Sequence, residues 1–175
     1  MLLASLFATS AQATTRVVNF DVLNESATLS TIFQAGDSLR LNTFVADETG
    51  PLLQSITFTV GGSVGSFAGN AAWEISTAAG PGPRLIGVNI DVFDSSNTLV
   101  GSDSGVVVAN RFATSIMGAA IGPGTYTVKA TGTGVRESSL DMTLNFIAAV
   151  PEPQTYALML AGLAMIGLLS ARRRV

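Results

Sequence analysis

The chain has 175 residues, with nine Lys/Arg against twelve Asp/Glu and neither His nor Cys. The missing residue types remove the commonest zinc and copper ligands, the Ser-His-Asp and Cys-His hydrolases, and the usual general base near neutral pH. Disulfides are excluded too, so stability has to come from packing, which the central stretch is long enough to supply.

Residues 1–13, MLLASLFATSAQA, carry an apolar stretch from Leu2 to Ala8 and close with Ala11-Gln12-Ala13, an A-x-A cleavage pattern. They read as a secretory signal peptide that lacks its positively charged n-region, so either the signal is weak or, the favoured expectation because the h-region itself is clipped, the start codon lies upstream of Met1. Ala11 and Ala13 are the expected cleavage residues, and Thr14 the first residue of the mature chain.

Residues 14–149 form one exported domain of about 136 residues with six Lys/Arg and eleven Asp/Glu, a net charge of −5. An acidic surface argues against nucleic acid and against anionic lipid headgroups. Strand patterns follow one another along it. Arg16–Leu23, Ser38–Val45 and Leu52–Val60 alternate softly, and the glycine-rich stretch from Gly61 to Ala72 reads as a long loop or an irregular edge. Arg84–Asp94 alternates cleanly, with Ile86, Val88, Ile90 and Val92 on one face. Asp94-Ser95-Ser96-Asn97 should then close a hairpin onto Thr98-Leu99-Val100. Gly122-Pro123-Gly124 is a turn ahead of Thr125–Thr131, which puts Tyr126, Val128 and Ala130 on one face. Ser139–Ile147 does the same with Leu140, Met142, Leu144 and Phe146. Period-two patterns of this kind predict an all-β fold, an antiparallel β-sandwich with jelly-roll-like connections.

Residues 150–175 differ in kind. Pro151, Glu152 and Pro153 hold the backbone extended. An uncharged apolar run from Tyr156 to Ala171 follows, including Leu158, Leu160, Leu163, Ile166, Leu168 and Leu169, and then Arg172, Arg173 and Arg174. As a helix the run reaches about 24 Å, a short single transmembrane span if the arginines snorkel. The arginines set the C-terminus in the cytoplasm and the preceding domain on the far side.

The three parts in this order resemble the PEP-CTERM sorting signal of Gram-negative bacteria that make extracellular polysaccharide. The resemblance implies recognition of Pro151-Glu152-Pro153 by an exosortase, an integral-membrane cysteine protease that removes the tail on the way to the cell surface. The segment IGPGTYTVKATGTGVRESSLDMTLNFIAAVPEP resembles the end of the FxDxF family of PEP-CTERM proteins and is similar to pre-peptidase C-terminal β-sandwiches. Leu52–Val60 stands where the F-x-D-x-F motif would, without its first Phe and its Asp. Neither resemblance implies a catalytic residue.

Within the domain, Asp91, Asp94, Asn97 and Asp103 offer oxygen ligands to calcium but lack EF-hand spacing, and Asp and Asn are also ordinary turn residues. The pairs Thr57/Thr59, Thr125/Thr127 and Thr131/Thr133 lack the fixed repeat of an ice-ordering array. Trp73, with Phe44, Phe67 or Phe93, would be a platform for sugar stacking or else a core residue. Asp47 and Glu48 are adjacent and would face opposite ways on a strand, so a glycosidase pair would have to join residues distant in sequence. The resulting expectation is a non-enzymatic surface or matrix protein without cofactor or metal. Its partners would be an exosortase, the membrane and exopolysaccharide. A carbohydrate-binding module and a cryptic hydrolase are the alternatives.

Overall fold

The computed structural model describes residues 12–46, 48–75, 84–150 and 158–166. Eleven strands form among them: β1 (Thr15–Phe20), β2 (Asn24–Phe33), β3 (Ser38–Val45), β4 (Gly50–Val60), β5 (Val64–Glu74), β6 (Leu85–Asp94), β7 (Leu99–Ser102), β8 (Ser104–Ala109), β9 (Phe112–Ala120), β10 (Gly124–Gly134) and β11 (Ser138–Ala148). They build two sheets, ordered β1-β3-β11-β5-β9-β8 and β2-β4-β10-β6-β7, around one apolar core. The all-β sandwich expectation holds. On β10 and β11 the inward sets Tyr126/Val128/Ala130 and Leu140/Met142/Leu144/Phe146 are all buried, as alternation requires.

The pairing is not wholly antiparallel. β1 runs parallel to β3, and β2 parallel to β4. The first strands alternate between sheets, β1 and β3 in one and β2 and β4 in the other. Each crossing reverses the chain, so strands two apart in sequence meet in the same direction. Only β6–β7 and β8–β9 are successive strands paired within one sheet. The first is the hairpin expected at Asp94–Asn97, closed by Asp94 N donating to Thr98 O and Asn97 N to Asp94 O.

Two local expectations are corrected. The Gly61–Ala72 stretch is mostly β5, an interior strand between β11 and β9 with Phe67, Ala71 and Trp73 buried. Its glycines permit close approach: a Cβ on Gly69 would lie 2.5 Å from the Thr143 carbonyl oxygen. On β6, Ile86 does not share the face of Val88, Ile90 and Val92. Gly87 takes a positive φ of 61° opposite a bulge between Thr131 and Thr133, which turns Leu85 inward and Ile86 out to solvent.

Phe33, Phe58, Tyr126 and Phe146 cluster at one end of the core, with ring centroids 4.8 Å apart for Phe33–Phe146 and 5.5 Å for Phe58–Phe146. The Tyr126 hydroxyl donates to Gly122 O and accepts from Gly122 N, which pins the Gly-Pro-Gly turn to its own strand. A buried polar link joins the sheets. Thr43 Oγ1 of β3 donates to Gln54 Oε1 of β4 at 2.7 Å, and Gln54 Nε2 donates to Val22 O at 2.8 Å.

The helix expected over Tyr156–Ala171 is described only across residues 158–166, with exposed side chains. Nine residues rise about 13.5 Å, less than half of the roughly 30 Å hydrocarbon core. No helix of the described residues is long and apolar enough to cross a membrane.

Candidate functional site

The parallel placement of β1 beside β3, with β11 on the far side of β3, sets three outward polar residues in one row: Asn19, Asn42 and Asp141. Asn42 Nδ2 donates to Asn19 Oδ1 at 3.2 Å. One step along, Phe44 and Ser139 are register partners, and the Phe44 ring is 58% exposed. These residues, with Asp21 just beyond β1 and Glu25 near the start of β2, line an open cleft of about 640 Å³. Side-chain amides, carboxylates and a hydroxyl beside an exposed aromatic ring can hydrogen-bond a polyhydroxylated ligand while the ring covers its apolar face.

Of these residues, sequence reading singled out only Phe44 as a candidate. Asn42 and Asp141 belong to recognisable strands and their outward direction follows from alternation. What gathers them with Asn19 is the strand order, which no local pattern states.

The other candidates disperse. Trp73 and Phe67 are core residues, so no Trp-based platform forms. Phe93 lies under Lys129, whose Nζ is 4.5 Å from the ring centroid. Asp94 Oδ1 accepts from Ser96 N and Thr98 N, Asp103 Oδ1 accepts from Ile90 N, and Asp91 Oδ2 accepts from Asn89 Nδ2. Asn97 has a positive φ of 59° in the hairpin turn, and its Oδ1 accepts from Lys129 Nζ. Among the described residues no group of three His, Cys, Asp or Glu converges as a metal site would. Thr57 pairs with Thr127 and Thr59 with Thr125 across β4 and β10, giving two hydroxyl rungs rather than a long array. Glu48 lies in the β3–β4 loop and accepts from Leu23 N, while Asp47 is outside the described residues.

At the two ends, Ala13 is exposed and Ala11 falls outside the described residues. Pro151, Glu152, Pro153, Tyr156, Leu168, Leu169 and Arg172 to Arg174 also fall outside them, whereas Leu158, Leu160, Leu163 and Ile166 lie on the short helix. β11 ends at Ala148, and Ala149 N donates to Ser63 O, so the last strand leads straight into the Pro-Glu-Pro segment.

Residues 149–174 match the PEP-CTERM protein-sorting motif. The match begins one residue after β11 and takes in the prolines, the apolar run and the arginines. A PEP-CTERM motif supports an exosortase-type sorting substrate and export to the cell surface in bacteria. No curated protein matches the chain.

Proposed function

We propose that the chain is an exported, non-enzymatic surface or matrix protein of a Gram-negative bacterium. It is held in the inner membrane by its C-terminal apolar run until an exosortase trims it, and its sandwich then serves in an exopolysaccharide matrix. The observation that carries this reading is the PEP-CTERM motif placed directly after the last core strand. The geometry of the domain is compatible with tethering. Thr14 O accepts from Ser38 N, and Ser38 is the register partner of Asn145 near the end of β11. Leader and tail therefore leave from the same end of the sandwich, while Phe44, Ser139 and the Asn19–Asp21 segment lie toward the other. Several carboxylates serve the backbone: Asp37, Glu48, Asp94 and Asp103 all accept main-chain amides.

Replacing Pro151, Glu152 and Pro153 together with Ala should leave an untrimmed, membrane-bound species on immunoblots of cell fractions. If the trimmed surface form appears as in the wild type, exosortase sorting through this segment is wrong.

The cleft favours a second reading, a carbohydrate-binding module. Phe44→Ala should then abolish retention of the exported protein on the cell's own polysaccharide without changing its circular dichroism. Asp21, Glu25 and Asp141 line the same cleft. Release of reducing ends that disappears in Asp141→Asn would move the protein to the hydrolase alternative.

A further inference from the structure

Sheet edges are sites of association unless something blunts them. Three of the four edges here are blunted. β7 has four residues, β1 carries Arg16, and β2 carries Glu25 and loses register between Thr28 and Ile32. β8 is different. Among the described residues it is the last strand of the six-stranded sheet, paired only with β9, and all six of its residues are exposed. Gly105-Val106-Val107-Val108-Ala109 has no charge and no proline. Its one irregularity, the bulge at Gly105 with a φ of 62°, lies at the start and leaves Val107–Ala109 in regular pairing.

The pairing also says which backbone groups are free. The Asn110-Arg111 turn sets Ala109 opposite Phe112, and Val107 falls opposite Thr114. In a two-residue hairpin those pairs exchange hydrogen bonds, so the N–H and C=O of Val108 point away from β9. Val106, Val107 and Val108 are 54%, 60% and 62% exposed. Such an edge takes an uncharged strand with apolar side chains on both faces.

The segment is its own complement. An antiparallel pair of β8 strands about a two-fold axis at Val107 sets Val107 against itself, Val106 against Val108 and Gly105 against Ala109. Asp103 lies outside the strand with its carboxylate held by Ile90 N, so the complementarity rests on the uncharged positions from Gly105 to Ala109. We propose that two copies of this chain join through β8, antiparallel about Val107, so that their six-stranded sheets become one continuous sheet. The inference is independent of the sorting reading and of the cleft.

The absence of cysteine makes the register testable. Val107 spends its hydrogen bonds on β9, so Val107 and its symmetry mate form a non-hydrogen-bonded pair with Cα atoms about 4.5 Å apart, within disulfide range. In the full chain in mild detergent, Val107→Cys should give a covalent dimer on gentle oxidation. Val17→Cys, on the opposite edge strand and 51% exposed in the parent, should not. In sedimentation equilibrium the wild type should dimerise. Val107→Lys should weaken association by about tenfold or more, because like charges then face each other directly. Val107→Thr should retain the dimer. A wild type that stays monomeric at every concentration overturns the proposal, as does a Val107→Lys dimer of unchanged strength. Equal cross-linking of the two cysteine variants overturns it as well. Should Val107→Lys fail to fold by circular dichroism, the cysteine pair decides.

Discussion

Asp37 shows how much one side chain organises. It is 7% exposed. Oδ1 accepts from Thr14 N at 2.6 Å and Oδ2 from Gln34 N at 2.7 Å, so a single carboxylate ties the start of the domain to the β2–β3 turn. If the leader is removed after Ala13, Thr14 N becomes an ammonium group and the contact with Oδ1 becomes a charge-assisted hydrogen bond. Asp37→Asn, which presents a donor where an acceptor is needed, should cost about 1–3 kcal/mol in denaturant unfolding. The loss should be larger in protein that begins at Thr14 than in protein that keeps residues 1–13; equal losses would show that the ammonium charge adds nothing to the contact. Gln54 is a comparable case inside the sandwich. Gln54→Leu orphans the Thr43 hydroxyl and the Val22 carbonyl, with an expected loss of about 1–3 kcal/mol. Adding Thr43→Val should recover part of it, because one of the two orphans is then gone. A double variant no more stable than Gln54→Leu would show that the Thr43 bond contributes little.

Glycine separates what local pattern reveals about a strand from what it hides. At Gly69 a Cβ would press on backbone, whereas at Gly62, in the β4–β5 turn, it would meet nothing within 4 Å. Gly69→Ala should therefore destabilise by about 1–3 kcal/mol and Gly62→Ala by no more than about 0.5 kcal/mol, both read from chemical denaturation. The same residue type misleads a reading from sequence. β10 and β11 are legible because large apolar residues alternate with Thr, Lys, Asp and Asn. β5 is not, because its small residues are placed for contact with β11 and β9, and small residues otherwise signal loops. β2 escapes for another reason: its inward residues include Glu25, Ala27 and Thr31, only partly buried at a sheet edge, so the apolar contrast is low. β8 is uniformly apolar over its valines and carries no period at all. The cleft was legible only as separate outward residues, since Asn19, Asn42 and Asp141 are 23 and 99 positions apart along the chain and meet through strand order alone.

For the whole molecule, the decisive feature is that entry and exit share one end. If the domain is tethered by residues 150–175, the β4–β5 turn beside Ala149 faces the bilayer and the Arg136–Glu137 loop, at the far end of β11, faces away. Gly62 and Arg136 are both exposed, and the chain has no native thiol. On spheroplasts, a bulky impermeant maleimide should label Arg136→Cys faster than Gly62→Cys while the tail is intact. The two rates should converge once the protein is freed by detergent. Equal rates on the spheroplasts would mean that the domain does not stand on that end.

That arrangement has a mechanical corollary. Traction transmitted through the C-terminal stub enters at Ala149 and runs along β11, which is clamped by β3 on one flank and β5 on the other. Inter-strand bonds in antiparallel ladders lie across the strand axis, so a pull along β11 loads both rows in shear and they must rupture together rather than unzip one by one. If the tail does tether the domain, a pull on it would load a strand paired on both flanks before any edge strand of the sandwich.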